Sequence, residues 1–248
     1  SEQWQGKSGM GDYADFVMET DWAVGEVLAE LDARGLIGET LLVFTSDNGC
    51  SPMAKIPELA AKGHLVNGPL RGHKADIFEG GHRVPFLVRW PGKVSAGSKC
   101  GETVCTTDFF STAAEASGME VPADAAEDSF SMLPLLTGKG EFARPYTIHH
   151  SINGSFAIRQ GKWKLSLCPG SGGWSDPKPG KATQGLYPVQ LYDLGADLAE
   201  TNNLAEKDPE RVKAMADLLA KAIRDGRSTP GPKQENDGWP ATTPAAVL

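Results

Sequence analysis

Long apolar runs are missing from this sequence. No stretch reaches the roughly 18 consecutive apolar residues that a membrane-spanning helix needs, so no membrane span is expected. Positive charge is also in short supply, with 24 Lys and Arg against 32 Asp and Glu and a formal net charge of −8. That balance opposes a polyanionic partner such as nucleic acid, whose binding calls for a basic face. Cysteine is scarce: Cys50, Cys100, Cys105 and Cys168 include no C-x-x-C pair, which argues against a structural zinc site. One or two disulfides and free buried thiols both fit those four positions. Neither a methionine nor the basic-then-apolar pattern of a signal peptide stands at Ser1, and the expectation is that an upstream segment is missing.

What is present is a globular composition, 40% hydrophobic and 23% charged over 248 residues, enough for one large or two modest domains. Tyr13, Val17, Val24, Val27, Leu28 and Leu31 recur near helical spacing, which predicts a long helix within the first 35 residues, ended by Gly35. The apolar run 41–45 predicts a strand covered on both faces, of the kind parallel sheets use, and Val84 to Trp90 predicts a second. Thr107 to Ser117 reads as a helix. Past residue 145 the period changes. Phe156 and Ile158, then Trp163, Leu165 and Leu167, alternate around a Gln160-Gly161 turn and predict an antiparallel hairpin. A Gly/Pro-rich loop at 169–180, a strand at 190–194 and a helix opened by Asp208-Pro209 complete a small α+β unit.

Two loops hold the residues with chemical potential. Asp47-Asn48-Gly49 follows the first strand, where an open α/β sheet places its ligands, and offers two hard oxygen donors suited to calcium or magnesium. A plain turn fits the same triplet. The segment 70–93 gathers Arg71, His73, Lys74, His82 and Arg83, with His64 nearby, into a basic island in an acidic chain. Such an island suits a compact anion, but taken alone the segment reads rather as solvated charge with a salt bridge to Glu79.

Several ordered blocks carry a more specific signal. The stretch ending LLVFTSDNG at Gly49, then LRGHKADIFEGGHRVPFLVRWPGK at 70–93, FAIRQGKWKL at 156–165 and LYDLGADLAETNNLA at 191–205 together resemble the type I sulfatases of the alkaline phosphatase superfamily. The resemblance covers roughly residues 6 to 225. It implies an α/β fold in which 1–143 is the second half of an alkaline-phosphatase-like mixed sheet flanked by helices. Residues 144–226 would form a small C-terminal subdomain with an antiparallel sheet, and 227–248 a tail on the surface or disordered. It implies that Asp47 and Asn48 bind one divalent cation, calcium, and that Lys74 contacts the sulfate as a catalytic residue.

In the family mechanism a formylglycine hydrate attacks sulfur, the alcohol leaves, and sulfate is then eliminated. The C/S-x-P-x-R motif that yields formylglycine is absent. Cys50-Ser51-Pro52 imitates its first three positions, but Ala54 stands where arginine is required. The nucleophile is therefore expected in an N-terminal half of the catalytic domain, the implied partner of this chain, which alone should be inactive. Arg71, His73, His149, His150 and Trp174 are candidate substrate contacts. Either histidine of the 149–150 pair could instead be packed or solvent-facing, and Trp174 could stack on a sugar or anchor its loop. The implied substrate is a sulfate ester, more a carbohydrate than a simple aryl compound, and the implied location periplasmic or extracellular. Two alternatives stand beside this: a phosphatase or phosphodiesterase of the same superfamily, and a non-catalytic module binding anions or sulfated glycans.

Overall fold

The computed structural model describes residues 1–235. Helix α1 spans Asp12–Ala33 and enters through Gly11, whose φ of 110° suits only glycine. Asp15 in its first turn is buried and accepts N–H bonds from Gly6 (2.6 Å) and Ser8 (2.8 Å), which fold the N-terminal segment against the helix. The apolar residues Phe16, Val17, Met18, Trp22 and Val27 stay exposed. After β1 (Leu42–Thr45) come two short helices, α2 (Ile56–Ala61) and α3 (Glu79–His82), and then β2 (Phe86–Arg89).

Both expected strands form, but they pair with each other in antiparallel fashion, Val43 opposite Val88, and neither is covered on both faces. The parallel reading of 41–45 is corrected on this point. An apolar run signals covering layers, and Leu87 remains 62% exposed. Helices α4 (Asp108–Ala116) and α5 (Leu133–Thr137) follow. The fully buried Asp108 is paired with Arg144, which ties α4 to the chain entering the second sheet.

That sheet has four antiparallel strands in the order β3 (Thr147–His150), β4 (Phe156–Gln160), β5 (Trp163–Ser166) and β6 (Gln190–Asp193). Helix α6 (Pro209–Asp225) packs on one face. Its Asp208 side chain accepts from the Arg211 N–H at 3.1 Å, the capping that the sequence predicts. Side chains alternate across the strands, so Ile158, Leu165 and Leu191 meet Val212, Met215 and Leu219 of α6. The opposite face, with Ala157 and Tyr192, is covered by Ile77 and Phe78. The second sheet is thus buried on both sides, and the segment carrying Lys74 lies on its inner face. In the expected tail, 227–248, the first residue, Arg227, is buried and donates to the Ala123 carbonyl at 2.8 Å. Positions 236–248 of that tail lie outside the described residues.

Candidate active site

The loop leaving β1 is pressed against the 71–76 loop and α3 by backbone contacts that only glycine permits. Gly49 N donates to Gly81 O at 3.0 Å, Gly80 N to Arg71 O at 2.7 Å, and Lys74 N to Cys50 O at 3.0 Å. A Cβ on Gly49 would stand 1.7 Å from Gly80 O, one on Gly80 2.3 Å from Gly72 O, and one on Gly81 2.3 Å from Asp76 O. Asp47, Asn48 and Lys74 therefore belong to one junction of three chain segments.

Asp47 is exposed, with its carboxylate 3.5 Å from the Ser46 hydroxyl. Asn48 donates its amide to Gly49 O at 3.2 Å, which leaves the amide oxygen as an acceptor. As hard oxygen donors these two fit a calcium-type cation, but such an ion takes about six to eight oxygens. Among the described residues no group of three or more His, Cys, Asp or Glu could hold a metal. Two oxygen donors alone would not complete such a shell.

The other predicted residues divide. Lys74 is half-buried and forms no salt bridge among the described residues. Arg71 donates to Glu200 O at 2.7 Å and lies 3.9 Å over the Phe78 ring. The His73 ring nitrogen Nδ1 is 2.9 Å from Lys74 O and 3.6 Å from Asp76 Oδ2. His149 and His150, adjacent in β3, take opposite faces of the sheet. His149 turns inward onto His82 with ring centroids 4.2 Å apart, while His150 is exposed and meets Phe156 edge-on. Trp174 is exposed on a loop whose preceding residues, Ser171 to Gly173, are buried.

Sequence reasoning missed the polar centre behind these loops. Lys164, fully buried on the inner face of β5, pairs with Glu79 at 3.1 Å and Glu200 at 2.9 Å, and Arg159 reaches Glu79 at 3.1 Å. Burial pushes the Glu79 carboxyl up, but Lys164, Arg159 and Arg83 outweigh it and hold the group below the usual range. Glu200 goes the other way because burial dominates. His82 is lowered to about 4 by burial and then by Lys164, and His149 lies well below its ordinary value through burial and His82. Both histidines are neutral near pH 7, and the Nε2 of each is buried with no hydrogen-bond partner among the described residues. All four cysteines are free, and burial raises the Cys50 thiol, the reverse of an activated nucleophile.

An open cleft of 1190 Å³ runs beside this centre, lined among others by Asp47, Glu79, His82, Arg83, His149 and Arg159. Lys74 and Trp174 do not line it, so the glycine junction, and not the cleft, defines the candidate site.

Comparison with known proteins gives this arrangement a context. The Sulfatase family matches residues 1–119, and the family described as N-sulphoglucosamine sulphohydrolase, C-terminal, matches residues 73–168. The N-acetylgalactosamine-6-O-sulfatase of Bacteroides thetaiotaomicron is 37% identical over 220 residues, covering 86% of this chain and 42% of that protein. Arylsulfatase A of Homo sapiens is 34% identical, covering 92% of this chain and 46% of its own length. A solved structure titled for the metabolism of glycosaminoglycans by Bacteroides thetaiotaomicron superposes with a TM-score of 0.75 at 35% identity, over 89% of this chain and 46% of that one. The phosphonate monoester hydrolase of Agrobacterium radiobacter, at 23% identity and a TM-score of 0.56, shares the fold alone. The chain spans about half the length of the curated relatives it matches. With two sulfatase family matches running across its glycine junction and into its second sheet, the chain belongs to the type I sulfatases of the alkaline phosphatase superfamily.

Proposed function

We propose that this chain is the carboxy-terminal part of a sulfuric ester hydrolase acting on sulfate esters of carbohydrates. The observation that carries the reading is the shared junction of Asp47, Asn48 and Lys74. Two hard oxygen donors sit on one loop and, on the next, an ammonium with no ion pair among the described residues, the loops joined by the 3.0 Å bond from Lys74 N to Cys50 O. A sulfuryl group in transfer gathers negative charge on its oxygens, and fixed positive charge beside them lowers the barrier. Calcium, when bound, supplies one such charge, and Asp47 and Asn48 hold part of its shell. Lys74 supplies a second from this chain. The formylglycine nucleophile and the remaining cation ligands belong to the amino-terminal half of the catalytic domain, the proposed partner.

The carbohydrate preference is supported by Trp174, an exposed indole on a loop with a buried base, because an aromatic face packs well on the apolar face of a sugar ring. The name of the Bacteroides relative, a sulfatase of N-acetylgalactosamine, points the same way. His73 and Arg71 brace the Lys74 loop through Lys74 O and Glu200 O, and His150 is the exposed member of its pair. His149 lines the neighbouring cleft, where its ring packs on His82. Secretion to the periplasm or outside the cell is part of the same proposal.

The test joins this chain to the amino-terminal half of a sulfatase catalytic domain, with calcium. Sulfate release from a sulfated N-acetylgalactosamine is compared with phosphate release from the matching phosphate ester. Sulfate release is expected, falling at least about 100-fold in Lys74→Ala. Preferential phosphate release would move the chain to the phosphatases or phosphodiesterases. Binding of the sulfated sugar without turnover would make it a binding module.

A further inference from the structure

Asp76 has no place in the chemistry above, yet it is fully buried and ties the two loops proposed to meet the substrate. Its Oδ2 accepts the His73 N–H at 2.9 Å, one residue before Lys74. Its Oδ1 accepts the N–H groups of Trp174 at 2.8 Å and Ser175 at 3.0 Å, from a segment almost a hundred residues away. Charge-assisted bonds of this kind are stronger than neutral ones, and three of them from two segments leave the carboxylate few alternative positions. The neighbouring backbone is fixed as well. Ala75 is held at φ 83°, unusual for a residue with a Cβ, and its carbonyl accepts the Ile152 N–H at 2.9 Å from the loop after β3. Gly173 closes over the pair so tightly that a Cβ there would lie 2.4 Å from Ala75 O and 2.6 Å from Asp76 Oδ1. Loops 73–76 and 171–175 meet on one buried carboxylate, and 151–154 joins them at the neighbouring Ala75 carbonyl.

We infer that Asp76 is a positioning residue that fixes the spacing between the Lys74 ammonium and the Trp174 indole, and so selects esters in which a sugar ring stands at a set reach from its sulfate. This rests on the sulfatase reading for the roles of Lys74 and Trp174. The pinning itself stands on the hydrogen bonds alone. An asparagine at position 76 offers one carbonyl oxygen and one amide, so one of the two loops would face a donor in place of an acceptor.

Two measurements test the inference. In this chain, amide hydrogen exchange of Asp76→Asn is expected to show at least tenfold lower protection at Trp174 and Ser175, far from the substitution in sequence. In the assembled enzyme, Asp76→Asn is expected to lower kcat/KM on a sulfated N-acetylgalactosamine at least tenfold, and on an aryl sulfate without a sugar ring much less. In a Trp174→Ala background the sugar-specific part of that loss should vanish, because interacting residues are not additive. Gly173→Ala, whose Cβ presses on Ala75 O and Asp76 Oδ1 and so displaces the Trp174 loop while the carboxylate at position 76 is kept, should reproduce the sugar-selective loss and guards against an Asp76 variant that fails to fold. Equal losses on both esters, whether or not Trp174 is present, would overturn the inference. So would unchanged exchange at 174–175. An assembled wild type that turns over neither ester refutes the sulfatase reading instead, and the exchange result then decides the pinning by itself.

Discussion

Lys164 is the residue whose environment departs furthest from its sequence setting. In the run Trp163-Lys164-Leu165 it looks like the solvent-facing member of an alternating strand, but Ile77 and Phe78 cover the inner face of the sheet and enclose it. Its ammonium compensates Glu79 and Glu200, and removing one partner of a buried ion pair strands the other charges. Lys164→Met should therefore destabilise the fold by about 3–5 kcal/mol, read from the denaturant midpoint. His82 offers a pH-dependent test. Its ordinary value of 6.5 falls to about 4 in the fold, so below about pH 6.5 the unfolded chain takes up a proton that the native state refuses. Stability is complete above that pH and is lost as the pH falls toward about 4, at up to about 1.4 kcal/mol per pH unit from this group. His149, lowered in the same direction, adds to the loss. His82→Phe, which also removes an unpartnered buried Nε2, should flatten the acid limb of a melting-temperature profile. An unchanged profile would mean that other groups set the acid sensitivity.

At the scale of elements, the sequence was readable where local pattern decides and opaque where coverage decides. Helices α1, α4 and α6, the β4–β5 hairpin and β6 all follow from spacing and capping residues near their observed bounds. The partner and direction of β1 did not, because an apolar run of five residues says nothing of what lies beside it. The pairing of Asp47-Asn48 with Lys74 came from a family resemblance, and the structure accounts for it physically through glycines. Gly49, Gly80 and Gly81 read as turn or close-packing residues, but their clash partners are backbone atoms of other segments. Asp76 was invisible for the same reason: its acceptor role depends on N–H groups from residues 174 and 175. Gly49→Ala, with a Cβ 1.7 Å from Gly80 O, should part the β1 loop from α3. A melting temperature lowered by several degrees, with Asp47 and Lys74 unaltered, is the expected result, and wild-type melting would show that the loop relaxes without cost.

At the scale of the molecule, several large apolar side chains are left uncovered among the described residues. Phe16, Val17, Trp22 and Val27 of α1 and Leu87 of β2 are each more than two-fifths exposed, and large apolar side chains left uncovered in this number fit surfaces that a partner would bury. The chain alone should self-associate, with a mass in light scattering that rises with concentration, and should become a defined species when joined to the amino-terminal half. A monodisperse, cooperatively melting monomer would count against that partner. In the proposed division of labour one half would bring the nucleophile and the other Lys74 and part of the cation shell, and the half-length coverage of the relatives leaves room for such a partner. Calcium dependence of the assembled enzyme decides whether the shell is real. After chelator treatment, sulfate release should be lost and then recovered on return of calcium. In Asp47→Ala the calcium needed for half activity should rise at least about tenfold, since even indirect supports of a metal site cost that much when removed. Sulfate release that survives the chelator, or an Asp47→Ala enzyme with wild-type calcium dependence, would contradict the assignment of this junction as a sulfatase site.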